Sequence, residues 1–324
     1  MVYFYNLCKM VKVKLVETKS EIAAGTRGAS LGVDALKTAC LDKGSDYFAI
    51  YETVEVENVN DMLFEDFHYE HAKFVDGVLV MEERMCNAVY QTIQEGYFPI
   101  VLAGDHSTAA GTISGIKKAY PDKRIGVVWI DAHADLHSPY TTPSGNMHGM
   151  PLAMVCGIDN VENKINNPSS EVLEYWEKLK NVGVKGPKVD LKDIVFIAIR
   201  DTEEQEEVLI EQFNVKRIKT EEIKSKGIEK IVKEVMERLD RCDLVYISFD
   251  VDSLDSRISE GTGTPVPYGL SVQEAIDLNC QLISHKKVCA WEMVEVNPTL
   301  DSLNLMAENA FEILEATTNQ LLKR

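Results

Sequence analysis

The segment 131–137, DAHADLH, carries two carboxylates and two imidazoles at every second residue. A DVD motif contributes Asp250 and Asp252, and a GDH motif contributes His106. These oxygen and nitrogen donors, without a thiolate, suit Mn²⁺ best, with Fe²⁺, Co²⁺ or Zn²⁺ as alternatives. Four carboxylates exceed what one divalent ion needs, so the pattern favours two ions that share carboxylate oxygen. The candidate ligands are His106, Asp131, His133, Asp135, Asp250 and Asp252.

A pair of divalent ions about 3.5–4 Å apart can share a bridging water and lower its pKa, which supplies hydroxide near neutral pH. The motifs therefore predict metal-assisted hydrolysis. The alternative is that each aspartate only caps a helix or binds water at a strand end. That explanation is reasonable for a single aspartate, but it does not explain why three such motifs occur at three strand ends. We expect His137 to leave the metal site for the substrate rim, because seven extended residues span about 20 Å.

Five apolar segments predict the strands that position these motifs. They cover residues 99–106, 125–133, 193–201, 243–252 and 288–298. Strands that are apolar on both faces are typical of a parallel sheet covered by helices on both sides. Each segment ends in ionisable residues, and ligands of open α/β sheets bind beyond the carboxyl ends of the strands. The motifs are therefore expected to share one cleft although they are far apart in sequence.

Segments with helical periodicity alternate with the strands. They cover residues 80–96, 107–119, 169–181, 203–213, 220–240, 271–285 and 303–322. Ser107, Ser271 and Ser302 are expected to cap three of these helices. The polar segment 157–170 is interpreted as a surface excursion, and the Gly-rich segment 25–32 as a flexible rim loop. Together the elements predict a single α/β domain over residues 1–324, with three α/β/α layers around a central, mostly parallel sheet.

Composition restricts the classes of partner and compartment. The formal net charge of −18 argues against nucleic acid as a partner, because such binding usually needs clustered Lys and Arg. The seven scattered cysteines form no C-x-x-C pair, which favours a reducing cytoplasm over a disulfide framework. No segment approaches the ~20 apolar residues of a membrane span. The opening residues 1–13 lack a basic start, so a signal peptide is not expected.

In order and spacing, the motifs resemble those of the arginase branch of the ureohydrolase superfamily. The matching segments are AGDHST (103–108), DAHADLHSPYTTPSGNMHGMP (131–151), SFDVDSLD (248–255), GTGTP (261–265) and EVNPTL (295–300). The resemblance covers residues 98–322 and, more loosely, AAGTRGASLGVDALK at residues 23–37. Agmatinase-like relatives keep the metal motifs but are not expected to carry TTPSGNMHG. The resemblance implies an arginase/deacetylase-like fold with its metal site at the carboxyl ends of the strands.

The resemblance also implies two manganese ions per subunit, with Co²⁺, Fe²⁺ or Zn²⁺ as possible substitutes. One ion would bind four of the candidate ligands, namely His106, Asp131, Asp135 and Asp250. The other would bind Asp131, His133, Asp250 and Asp252. Asp131 and Asp250 would then bridge the pair.

The resemblance assigns catalytic roles to His148, Glu295 and Asp135. His148 falls on the family's proton-shuttling histidine, which protonates the leaving amine. Glu295 falls on the carboxylate that receives the guanidinium, whose paired N–H donors match a carboxylate. Thr264 falls on a neighbouring guanidinium contact.

Substrate recognition is where the chain departs from the family pattern. Ser144 and Asn146 match residues that contact the α-carboxylate of arginine. His137 replaces the family's usual Asn, and Glu203 replaces an Asp that recognises the α-amino group. Within the acidic segment 201–207 we give most weight to Glu203 and less to Asp201 and Glu206.

The implied function is hydrolysis of L-arginine to L-ornithine and urea by a metal-bridging hydroxide, in arginine metabolism and the urea cycle. The resemblance also implies a cytoplasmic homo-oligomer, either a trimer or a hexamer. One alternative is another ureohydrolase that acts on agmatine or a different guanidino acid. Another is a catalytically silent arginine-binding relative, against which the complete ligand set argues. A deacetylase of the same architecture would normally bind one zinc and would not need all six ligands.

Overall fold

A single parallel sheet of eight strands forms the centre of the described part of the chain, residues 11–66 and 68–324, in a computed structural model. The strands are β1 Val13–Thr18, β2 Glu52–Val56, β3 Phe98–Ala103, β4 Ile125–Ile130, β5 Ile194–Ile197, β6 Lys216–Ile218, β7 Leu244–Asp250 and β8 Val288–Val294. Their order in the sheet is β2-β1-β3-β8-β7-β4-β5-β6. Every pair of neighbours is parallel, so the predicted α/β class is confirmed. Residues 1–10, most of the opening segment, lie outside the described residues.

All five predicted strands are present as β3, β4, β5, β7 and β8, and they form most of the sheet. Each is shorter than predicted, because the chain leaves the sheet where the ionisable residues begin. The five predicted segments do not include β1, which lies between β2 and β3 in the sheet, and the prediction also missed β2 and β6, which lie at the two edges. Their sequences, ETVEV and KRI, are charged and partly exposed, so they lack the apolar run that marks a central strand.

Helices cover both faces of the sheet. They are α1 Gly32–Asp42, α2 Tyr47–Ile50, α3 Val75–Gln94, α4 Ala109–Ala119, α5 Pro151–Cys156, α6 Ser170–Leu179, α7 Glu204–Gln212, α8 Thr220–Lys226, α9 Ile228–Arg238, α10 Val272–Ile283 and α11 Leu305–Leu321. The predicted helix 220–240 is two helices, because Gly227 adopts a φ of 83° between α8 and α9. No helix in the described ranges is long and apolar enough to cross a bilayer.

The predicted helix caps are only partly correct. Ser271 caps α10 in a capping box with Glu274, as predicted. Ser107 does not cap α4; it lies in a 3-10 turn at residues 106–108 that precedes the helix, and Asp105 caps that turn by accepting a hydrogen bond from the Ser107 backbone N–H. Ser302 is also not a cap, because α11 begins after Asn304, which has a left-handed backbone.

Two hydrophobic cores lie on opposite faces of the sheet. Residues from α1, α9, α10 and α11 belong to one core, and residues from α3, α4, α5, α6 and α7 belong to the other. Along β4, Val128 and Ile130 join the first core while Val127 and Trp129 join the second. Burial of each such side chain contributes about 1.5–3 kcal/mol. The strands are thus held from both faces, which fixes the positions of their carboxyl ends.

Candidate metal centre and substrate cleft

Four adjacent strands deliver the central residues of the site. β3, β8, β7 and β4 are neighbours in the sheet, and their carboxyl ends lead into His106, Glu295, Asp250 and Asp131. Neighbouring strands lie about 4.8 Å apart. The topology therefore brings together residues from both halves of the sequence, as the sequence predicted.

One group of donors surrounds the His106 ring. Its Nδ1 atom lies 3.1 Å from Asp131 Oδ2, 3.2 Å from Asp135 Oδ2 and 3.1 Å from Asp250 Oδ2. All four residues are buried. A second group contains His133, whose Nδ1 lies 3.0 Å from Asp252 Oδ2 and 3.5 Å from Asp131 Oδ1.

Asp131 faces both groups, with Oδ2 toward His106 and Oδ1 toward His133. Asp250 turns Oδ2 toward His106, while its Oδ1 accepts a hydrogen bond of 2.8 Å from the Asp252 backbone N–H. We call the six residues of the two groups the ligand cluster: His106, Asp131, His133, Asp135, Asp250 and Asp252.

The geometry of the ligand cluster fits metal ions better than hydrogen bonding. His106 Nδ1 and Asp131 Oδ2 are buried and have no hydrogen-bond partner, although they lie 3.1 Å apart. Their lone pairs therefore converge instead of pairing with a proton. Two ligand atoms that each lie about 2.1 Å from the same ion, in directions at right angles to each other, are about 3 Å apart. The distances between the donor atoms of the ligand cluster match this value. Fold and donors together define an α/β protein with a strand-end site suited to divalent cations.

Neighbouring side chains hold the ligands in place. His106 Nε2 lies 2.8 Å from Ser248 Oγ, and its ring stacks on Trp129 at a centroid distance of 4.1 Å. Such contacts fix the ring orientation and the tautomer of a metal-binding histidine. The sequence analysis did not identify Ser248, yet the signal was present: it lies two residues before Asp250 on the same face of β7.

Backbone strain and one arginine shape the turns that follow the strands. Asp135 and Glu295 have φ values of 50° and 66°, in the left-handed region that non-glycine residues rarely adopt. Arg200 Nη2 donates to the carbonyl oxygens of Asp252 at 2.8 Å and Val266 at 2.7 Å. This guanidinium ties the turn that carries Asp252 to the loop that carries Thr264, whose Oγ1 donates to Asp252 Oδ2 at 3.2 Å.

His148 and Glu295 form a pair beside the ligand cluster. His148 Nδ1 lies 3.3 Å from Glu295 Oε1, which also accepts a hydrogen bond of 2.9 Å from the His106 backbone N–H. Burial opposes the charged form of His148, but the hydrogen bond to Glu295 raises its pKa. Burial likewise opposes ionisation of Glu295, and the same hydrogen bond lowers its pKa. The pair is therefore stabilised as imidazolium and carboxylate.

His137 lies apart from the ligand cluster and contacts two glutamates instead. Its Nε2 is 3.0 Å from Glu203 Oε2 and 3.7 Å from Glu206 Oε2, and its Nδ1 is 3.2 Å from Thr141 Oγ1. The hydrogen bond from His137 lowers the pKa of Glu203 to about 2, whereas burial raises the pKa of Glu206 to about 8. The atoms of His137, Glu203 and Glu206 that could bind a metal ion lie within 4.8 Å of one another. Hydrogen bonds among these three residues account for that spacing.

A cleft of about 450 Å³ joins these parts. All the predicted site residues line it except Asp131, which is buried beneath its surface. We use the term cleft rim for the lining residues outside the ligand cluster that were predicted or considered for recognition of the α-carboxylate and α-amino groups of the substrate: His137, Ser144, Asn146, Asp201, Glu203 and Glu206. The Ser144 Oγ atom accepts a hydrogen bond of 3.2 Å from the Asn146 backbone N–H.

Comparison with known proteins identifies the family. The model of the arginase family matches residues 12–318. The chain is 32% identical over 312 residues to the arginase of Bacillus subtilis (strain 168), covering 96% of this chain and 98% of that protein. It is 33% identical over 327 residues to the arginase of Staphylococcus aureus (strain COL), covering 95% and 97%. The native structure of Bacillus caldovelox arginase superposes with a TM-score of 0.80 at 29% identity, covering 95% of this chain and 98% of that one.

The chain belongs to the arginase family. The family resemblance drawn from the motifs is thereby confirmed, and the match extends toward the N-terminus beyond the segment 98–322 that carried it.

Proposed function

We propose that the protein hydrolyses L-arginine to L-ornithine and urea with two manganese ions per subunit. The observation that carries the proposal is the convergence of the ligand cluster and the His148–Glu295 pair on one cleft. Family membership and curated arginases at 32–33% identity over nearly the whole chain support the same activity.

The two donor groups would each hold one ion, with Asp131 shared between them. His106, Asp135 and Asp250 complete the first group, and His133 and Asp252 belong to the second, to which Asp250 can also contribute. Two divalent ions in such a site supply a water of lowered pKa as nucleophile and stabilise negative charge that develops on the substrate. Asp135 directs Oδ2 toward His106 and lines the cleft, so its second oxygen can accept a hydrogen bond from the attacking water.

Glu295 would orient the guanidinium. Its Oε1 atom accepts from the His106 backbone N–H, and its Oε2 atom faces Gly263, where an added Cβ would lie 3.6 Å away. A carboxylate held in this way can accept paired N–H groups of a planar guanidinium. Thr264 lies beside it and adds a hydroxyl contact.

His148 would protonate the leaving amine. Its Nδ1 atom faces Glu295, so Nε2 is the ring nitrogen available to the cleft. The hydrogen bond to Glu295 raises the pKa of His148, which favours the protonated imidazole. A histidine in this state can act as a general acid toward departing ornithine.

The cleft rim would hold the substrate's other end. Ser144 and Asn146 offer hydroxyl and amide donors to the α-carboxylate. Glu203, held by His137, would receive the α-amino group. We further propose a single catalytic domain over residues 1–324, a cytoplasmic location, assembly as a homo-oligomer (trimer or hexamer) and a role in arginine metabolism.

One observation favours a second candidate. The Glu203 carboxylate that would receive the amino group already accepts a hydrogen bond from His137. A guanidino acid without an α-amino group would leave this pair undisturbed, which makes 4-guanidinobutyrate the competing substrate.

The test is urea release by metal-stripped protein after addition of Mn²⁺, Co²⁺, Fe²⁺ or Zn²⁺. L-Arginine, agmatine and 4-guanidinobutyrate are compared at equal concentrations. The proposal expects the largest kcat/KM for L-arginine with Mn²⁺. A preference for 4-guanidinobutyrate would support the second candidate, and a preference for agmatine would contradict the roles of Ser144 and Asn146. Arginine binding without urea release would identify a silent relative.

A further inference from the structure

The cleft is strongly acidic, which suits a guanidinium but opposes a substrate carboxylate. Within the described ranges, no Lys or Arg side chain lines it. The acidic side chains that line it lie at or after the ends of four strands, β4, β5, β7 and β8: Asp135, Asp201, Glu203, Glu206, Asp250, Asp252 and Glu295. Asp201, Glu203 and Glu206 lie outside the ligand cluster and the His148–Glu295 pair, so the proposed ions are not bound by them. A positive charge behind the lining, at the end where a substrate carboxylate binds, would therefore favour that carboxylate.

Lys73 lies behind the lining at Asn146. Its Nζ atom donates a hydrogen bond of 3.1 Å to Asn146 Oδ1, and its backbone N–H donates to the Gly145 carbonyl at 2.8 Å. Gly145 has a φ of 77°, and an added Cβ there would lie only 2.0 Å from the Glu70 carbonyl oxygen. The segment 70–73 thus packs directly on the loop that carries Ser144 and Asn146, so the backbone fixes the position of Lys73.

This contact decides which side of the Asn146 amide faces the substrate. An ammonium group has donors only, so the amide must turn its oxygen toward Lys73. The Nδ2 atom points the other way, where an added Cβ on Gly25 would lie 2.5 Å from it. Asn146 lines the cleft, and with its oxygen engaged by Lys73 the amide atom left for a substrate is the donor Nδ2, which can bind an anion and cannot bind an ammonium.

We propose that Lys73 determines specificity for substrates that carry a carboxylate. Lys73 fixes Asn146 as a hydrogen-bond donor and adds a positive charge directly behind Asn146, on the side away from the cleft. The inference rests on the proposed function, because it requires the substrate carboxylate to bind at Ser144 and Asn146. Opposite charges about 6 Å apart, at an effective dielectric constant of about 20–40, correspond to about tenfold to a hundredfold in affinity.

Lys73→Met removes the charge and the hydrogen bond at similar side-chain length. Lys73→Gln keeps an N–H donor for Asn146 but removes the charge, and Lys73→Arg keeps both. Lys164→Met is a matched control, because Lys164 is exposed and also donates to an asparagine side chain, Asn167 Oδ1, at 3.1 Å. All are measured as manganese-loaded full-length protein.

L-Ornithine and putrescine are suitable probes, because they differ only in the carboxylate, and calorimetry gives their dissociation constants without turnover. Lys73→Met is expected to weaken L-ornithine binding about tenfold to a hundredfold and leave putrescine within about twofold. Lys73→Gln should show an intermediate loss, and Lys73→Arg and Lys164→Met should resemble the wild type. In urea assays, KM for L-arginine should rise in Lys73→Met while kcat changes little.

Equal weakening of both probes would overturn the proposal, because Lys73 would then only support the loop. Unchanged binding of both probes in Lys73→Met and Lys73→Gln would overturn it as well. If Lys73→Met does not fold, the comparison of Lys73→Gln with Lys73→Arg decides the matter. Failure of the proposed function is a separate result: wild-type protein would release no urea from L-arginine, whatever the variants bind.

Discussion

The ligand cluster and the cleft rim face the same cleft but are built in different ways. The ligand cluster comes from the ends of β3, β4 and β7, whose strands are packed from both faces, and its members other than His133 are buried. The cleft rim comes from the loop after Asp135 and the segment that leads into the first turn of α7, and Glu203 is half exposed. The sheet thus fixes the groups that would hold the metal ions, whereas loops carry the groups that would choose the substrate.

Replacement of the shared carboxylate should have the largest effect. Asp131→Asn removes a charge that faces both donor groups, so metal content should fall and urea release should drop at least about a thousandfold, about 4 kcal/mol. Asp252→Asn, which alters the second group only, should lose one ion. Elemental analysis and a urea assay measure both effects, with exposed Asp122→Asn as the control. Retention of two ions by Asp131→Asn would contradict the assignment.

Removal of the proposed acid should come next. His148→Asn is expected to lower kcat about 10²- to 10³-fold, within the usual range for general acid catalysis. Metal content should be preserved, because His148 contacts Glu295 and none of the donors of the ligand cluster at hydrogen-bond distance. Unchanged turnover would rule out the proton-transfer role.

Loss of the support behind His106 should have a smaller effect. Ser248→Ala removes the hydroxyl 2.8 Å from His106 Nε2, and metal affinity should fall about tenfold to a hundredfold. A chelator titration of the loaded protein measures the change. Because the cleft rim is untouched, the relative kcat/KM for different guanidino substrates should stay constant, and a change in that ratio would show that the two regions are coupled.

A substitution in the cleft rim should alter substrate binding and leave the metal content unchanged. His137→Asn releases Glu203 from its hydrogen bond, so KM for L-arginine should change about threefold to tenfold, or about 0.7–1.4 kcal/mol, the usual net contribution of one hydrogen bond. Metal content should stay at the wild-type value. If His137→Asn loses metal, His137 is a fourth ligand from the DAHADLH segment after all.

The difference between strand ends and loops also explains which features could be predicted from the sequence. His106, Asp131, Asp250 and Glu295 were predictable because each follows a long apolar run, and parallel strands bring such positions to one edge. The edge strands β2 and β6 were missed because their exposed, charged sequences do not show the apolar pattern. The break at Gly227 was missed because the helical periodicity continues across it.

Contacts between loops could not be predicted from local patterns. Lys73 lies far from Asn146 in sequence, and only the packing of segment 70–73 on Gly145 brings its ammonium to the cleft wall. The pairing of His137 with Glu203 likewise depends on how two loops meet. The motif showed that both residues depart from the family pattern, but it did not show that the two departures contact each other.

The most direct test of the central claim is a titration of metal-stripped protein with Mn²⁺ while urea release from L-arginine is measured. The two donor groups predict that activity rises with added metal and reaches its plateau at two ions per chain. A plateau at one ion per chain, or the absence of urea at every metal concentration, would contradict the proposal that a two-ion centre hydrolyses arginine.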